Sequence, residues 1–221
     1  VYVESYLYGE GETFRATPEE VAAAAKLGSE QIETAIAQFA KFDKEAAAAI
    51  ADPTTPPDDI GKYKELREAA MFVIGECWSR LDTPAERVPE FRKNAAASYE
   101  AYLKAYPDGK WAKVGYVKLG TVYTALGDME KSRNALDRLS RKYPNSDEAK
   151  NAKPRLAKNL IEMGMRREGA DIYAEMLKTD GAYTAMQFEN AGEALVEAKD
   201  FELANQAFRK AIALAGSSNL T

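Results

Sequence analysis

The residues able to do chemistry are few. The 221-residue sequence holds no histidine and one cysteine, Cys77. Catalysis that uses imidazole as its base is therefore excluded, and so is a disulfide within the chain. A zinc site would have to be built almost wholly from carboxylates, an unusual donor set for that ion. Met163 and Met165 flank a turn and read as packing, not as a metal site. Cys77 stands beside Trp78 in a helical stretch and reads as a buried, inert thiol. No Gly-rich phosphate loop and no dinucleotide fingerprint occurs. What remains is acid catalysis by carboxylates alone, of the muramidase kind. No Asp or Glu pair stands out for it from the solvated helix faces. The expectation is a protein with no catalytic residue, no cofactor and no metal.

Charge narrows the partner class. The net charge of -5 is spread along the chain with no basic block, so no footprint for nucleic acid exists. No polybasic patch would hold an anionic membrane. The longest apolar runs, Ala22 to Ala25 and Ala46 to Ala51, fall far short of the ~20 residues of a membrane span. No membrane insertion is expected of this segment. Because the chain begins at Val1 rather than Met, the absence of a signal peptide or lipid anchor from it carries no weight.

The elements that could position a binding surface show in the spacing. Tyr116, Leu119, Gly120, Tyr123, Gly127, Ser132, Leu136, Leu139 and Pro144 form one unit, Lys113 to Ser146. The template returns as Leu156, Ala157, Leu160, Gly164, Gly169, Tyr173 and Met176. It returns again as Phe188, Gly192, Leu195, Ala204, Phe208 and Ala211. An upstream copy opens with Met71, Ile74, Gly75 and Trp78 and resumes as Ala95, Tyr99, Tyr102 and Pro107. The small residues at 75, 120, 157 and 192 are 45, 37 and 35 positions apart, and the excess in the first interval is placed near 83–90. Any helical bundle has 3.6-residue periodicity. It does not have Leu-Gly, an aromatic, a turn Gly and a terminal Pro in register. One such helix pair cannot bury its apolar face alone, so neighbours must stack.

Local signals fit. Gly127-Asp128 and Lys199-Asp200 mark turns, with both aspartates as N-caps. Thr17-Pro18-Glu19-Glu20 reads as a capping box, and Thr83-Pro84 with Glu86 as a cap with Pro at the first helical position. Pro154 requires either a kinked helix or one that starts late, near Asn151. Four regions follow. Residues 1–16 are extended or irregular. Residues 17–60 hold a degenerate helical repeat, with Val21 to Leu27 as first helix and Ala35, Phe39 and Phe42 on the second, and then a loop. Residues 61–218 are the repeat array of about four units. Residues 219–221 are a tail.

These spacings resemble the tetratricopeptide repeat. The resemblance implies an all-α fold, a right-handed superhelical α-solenoid of antiparallel helix pairs, and a protein-binding adaptor. The junctions Tyr-Pro-Asp-Gly-Lys-Trp-Ala (106–112) and Tyr-Pro-Asn-Ser-Asp-Glu-Ala (143–149) resemble those of bacterial envelope members, the Tol-Pal coordinator and outer-membrane assembly lipoprotein families. That similarity implies the periplasm or cell envelope, while junctions of this kind also occur in cytosolic arrays. The family's concave face maps to Phe72, Glu76, Ser79 and Arg80, then Val114, Val117, Lys118, Thr121 and Thr124. It continues through Asn151, Arg155, Lys158 and Glu162 to Met186, Glu189, Asn190, Glu193 and Glu197. Such a groove is basic in its middle and acidic at its C-terminal end, and suits a protein or peptide segment of matching polarity. The family's clamp for chaperone tails is absent, since its positions hold Val117, Thr121, Arg155, Met186 and Asn190. Self-association, or a fixed place in a larger assembly, is the alternative reading.

Overall fold

The computed structural model describes residues 18–179, 181 and 183–218. The expected irregular segment 1–16, the Thr17 cap and the tail 219–221 lie outside these residues. Nine α-helices run through the described residues: α1 (Pro18–Ala51), α2 (Pro57–Arg80), α3 (Val88–Ala105), α4 (Ala112–Ala125), α5 (Met129–Lys142), α6 (Asp147–Glu162), α7 (Arg166–Leu177), α8 (Ala185–Glu197) and α9 (Phe201–Ser218). They pack as the pairs α2/α3, α4/α5, α6/α7 and α8/α9, with α1 against α2.

Small residues set how closely the pairs approach. A Cβ on Gly120 would lie 2.6 Å from Leu136 Cδ2, and one on Gly192 would lie 2.6 Å from Phe208 Cε1. Gly75 faces the Tyr99 ring in the same way, at 2.7 Å. In the third pair the small partner is on the second helix, where a Cβ on Gly169 would meet the Ala157 carbonyl oxygen at 2.6 Å. The core is continuous because α6 faces both ways. Leu156 and Leu160 pack toward Tyr123 and Leu136, while Ala157 and Ile161 pack toward Tyr173 and Leu195.

The three later pairs share one turn. Gly127, Gly164 and Lys199 take positive φ of 75°, 84° and 64°, the left-handed conformation that lets a helix stop abruptly. Asp128 then accepts from Lys131 N–H at 3.1 Å, and Asp200 from Leu203 N–H at 3.1 Å, so both aspartates cap as expected. The first pair differs. Residues 81–87, with a 3₁₀ turn at Ala85–Arg87, join α2 to α3. The extra length is divided between this connection and α3, which has 18 residues where α5 has 14. No side chain caps either helix here, and the proline in the first turn of α3 is Pro89, which corrects the expected Thr83-Pro84 cap.

One other expectation is corrected, and for α6 the late start near Asn151 is excluded. Residues 18–51 form one 34-residue helix, not a helix pair. Gly28 meets nothing within 4 Å, so no close partner demands a turn there, and the flanking Ala, Lys and Glu carry the helix through it. The C-terminal part of α1 serves as a second helix to α2. Asp43 pairs with Arg67 at 2.8 Å, Glu33 pairs with Arg87 at 2.7 Å, and Ile36 packs with Leu81 and Phe91. α6 starts at Asp147, capped by Ser146, and runs through Pro154. The proline removes the donor that would reach the Lys150 carbonyl. The Tyr173 hydroxyl donates to the Pro154 carbonyl itself, at 3.1 Å.

Buried tyrosines bind the pairs together. Tyr99 donates to Glu76 at 2.5 Å, Tyr102 to Glu68 at 3.0 Å and Tyr123 to Glu100 at 2.5 Å. Burial pushes their hydroxyls well above the ordinary tyrosine range, and the neighbouring carboxylates add to it. Burial raises Tyr173 too, aided by the charges of Glu162 and Glu197. The folded state thus favours the neutral phenols. Their stabilisation is whole below the unfolded pKa of about 10 and is lost as pH rises above it. Thermal midpoints should therefore hold level to about pH 9 and fall steeply beyond about pH 10. A midpoint unchanged to about pH 12 would count against this role.

Candidate partner-binding groove

The first helices α4, α6 and α8 lie side by side, and the expected groove residues divide along them. Phe72 does not line a groove. It is 8% exposed, stacks on Trp111 with centroids 5.6 Å apart, and meets Tyr102 edge-on at 5.4 Å. Trp111, at the α3–α4 junction, covers the place where a ligand would touch Phe72. Thr124 is also an internal residue. Its hydroxyl donates to the Gly120 carbonyl at 3.0 Å and lies 2.8 Å from the Ser132 hydroxyl.

Glu76 and Lys118 neutralise each other. The Glu76 carboxylate, 19% exposed, takes Lys118 Nζ at 3.0 Å and the Tyr99 hydroxyl besides. The basic middle expected of the groove is weakened accordingly. Arg80 is exposed at the end of α2. Cys77 is half-buried, and burial pushes its thiol up.

The structure brings Asn151, Arg155, Lys158, Asn190 and Glu193 together. They line a concavity of about 330 Å³ between α6 and α8. Pro154 and Tyr173, which sequence reasoning did not place there, also line it, as do Gln187 and Glu197. A proline inside a first helix was the available signal for this floor. On the α6 wall, Arg155 donates to the Thr121 hydroxyl, which itself donates to the Val117 carbonyl at 2.8 Å. Lys158 lies 3.8 Å from Glu162, one helical turn on. Among the described residues Arg155 has no carboxylate partner, and neither Glu193 nor Glu197 has a cationic one. One wall thus offers a guanidinium and the other two carboxylates. This arrangement can hold a segment of mixed charge by ion pairs and amide hydrogen bonds. Among the described residues no group of His, Cys, Asp and Glu is placed to hold a metal ion, and no helix is long and apolar enough to cross a membrane.

Stacked helix pairs with a row of first helices define an all-α helical-repeat solenoid. Residues 115–146 match the tetratricopeptide-repeat family, within the unit read from spacing as Lys113 to Ser146. The chain is similar in fold to the crystal structure of MamA, with a TM-score of 0.60 and 14% identity over 94% of this chain and 100% of that one. It is also similar to a Podosopora anserina protein of nearly identical TPR-like repeats, with a TM-score of 0.56 and 11% identity over 90% of this chain and 95% of that one. No curated protein sequence matches.

Proposed function

We propose that this chain is a non-enzymatic adaptor that holds a segment of a partner protein in the α6–α8 groove, in the bacterial cell envelope. One observation carries the binding site. Arg155 and Lys158 face Asn190, Glu193 and Glu197 around a single concavity, and among the described residues Arg155 and the two glutamates have no partner of opposite charge. The junctions at 106–112 and 143–149, with their resemblance to envelope arrays, support the location. Reversing both cations, Arg155→Glu with Lys158→Glu, should weaken partner capture by at least about tenfold. Exposed substitutions of this kind should leave the melting curve within about 0.5 kcal/mol. Capture equal to that of the unaltered chain, measured by pull-down from envelope extracts, would remove the groove from the binding site.

A second reading, a self-associating structural subunit, draws on the exposed Phe201 and Ile212 of α9, 66% and 71% accessible. Light scattering over a concentration series decides it. A monomer at the highest concentration would exclude this reading.

A further inference from the structure

A second concavity, of about 500 Å³, lies between the second helices α3 and α5 with α4 as its floor. The floor is apolar: Leu103, Tyr116, Leu119 and Tyr123 are all buried. The rim carries Lys104, Lys131 and Arg138 against one carboxylate, Glu100, which already accepts the Tyr123 hydroxyl at 2.5 Å. Asp128 holds Lys131 at 3.2 Å. Among the described residues Lys104 and Arg138 have no carboxylate partner.

This cationic rim runs against the rest of the chain, whose net charge is -5. Nor does the repeat require it. At the positions of Lys131, Asn134 and Arg138, the next second helix carries Glu168, Asp171 and Glu175. The α7 and α9 helices pack directly on each other, whereas α3 and α5 leave their cleft open. An apolar floor flanked by two cations without a carboxylate partner, Lys104 and Arg138, complements an acidic segment that carries a large apolar side chain. We propose that the α3–α5 cleft docks an acidic partner segment, with an aromatic or aliphatic residue seated on Tyr116 and Leu119 and carboxylates on Lys104 and Arg138. The site is separate from the α6–α8 groove.

Amide chemical shifts of the full chain would be followed during titration with two synthetic peptides. One has Phe-Leu flanked by aspartates and glutamates, the other has Phe-Leu flanked by lysines. The acidic peptide should give saturable shifts at Lys104, Tyr116, Lys131 and Arg138, and the lysine peptide none there. Lys104→Glu with Arg138→Glu should weaken the acidic peptide by at least about tenfold, while Arg155→Glu leaves it unchanged. Equal response to both peptides, or indifference to the rim reversal, would overturn the proposal. So would a full chain with Glu4, Glu10 and Glu12 changed to glutamine that binds the acidic peptide much more tightly, since the chain's own first residues would then be the occupant. Dimers that dissociate on rim reversal would make a second copy the occupant and overturn it equally.

Discussion

Gly169→Ala should destabilise the protein by roughly 1–2 kcal/mol, although alanine is the better helix former. The helix gain is only about 0.5–1 kcal/mol. Against it stands a methyl placed 2.6 Å from the Ala157 carbonyl oxygen and 2.7 Å from Ile161 Cγ1. A backbone oxygen cannot swing aside, so α6 and α7 must separate, and overpacking of this kind costs about 1–3 kcal/mol. Gly120→Ala is the control. Its nearest neighbour is Leu136 Cδ2, the end of a side chain with rotamers to choose from, so its cost should be smaller. Urea denaturation of the two variants tests the ranking. If Gly169→Ala proves as stable as the unaltered chain, backbone contact does not fix the spacing of this pair.

Asn159→Ala should be costlier, at about 2–4 kcal/mol, and should change the shape of unfolding as well as its midpoint. Asn159 is 2% exposed. Its Nδ2 donates to Ser132 Oγ at 2.7 Å and to Thr124 Oγ1 at 3.3 Å, and Ser132 donates on to the Gly120 carbonyl at 2.8 Å. One side chain of α6 thus ties α4 and α5 together. Removing it leaves a cavity and strips partners from buried hydroxyls, both known sources of large losses. A stacked array is stable only through contacts between neighbours. Weakening this junction should let the later pairs melt apart from the earlier ones. Calorimetry should then show a broadened or split transition, and a single sharp transition at the unaltered midpoint would refute the linking role.

The array was legible because its rules are local. The turn at Gly127-Asp128, the terminal Pro144 and the small residues at 75, 120, 157 and 192 each act within one helix pair, and their spacing shows in the chain. The helix pair expected within 17–60 was misread because Ala35, Phe39 and Phe42 have the spacing of any long amphipathic helix, and here the chain runs from Pro18 to Ala51 as one. The groove was half legible. The resemblance to the repeat family put Arg155, Lys158, Asn190 and Glu193 on one face, and these four line one concavity. It could not show that Trp111 would cover Phe72, or that Glu76 would neutralise Lys118 across α2 and α4, because these are contacts between residues far apart in the sequence. The α3–α5 cleft was not legible at all, since it arises from the spacing of two helices that are not consecutive.

The start of α4 is supplied from outside its own pair. Glu68 of α2 accepts from Lys110 N–H at 2.6 Å, and the Tyr102 hydroxyl of α3 accepts from Trp111 N–H at 3.0 Å. By contrast α6 and α8 carry their own start signals, Ser146 and the Thr184–Gln187 capping box. The pairs are therefore unequal as modules. A chain growing from its N-terminus has Glu68 and Tyr102 in place before α4 emerges, so assembly in the order of synthesis meets its supports in sequence. The later pairs are the ones suited to transplantation into another array, because each brings its own beginning.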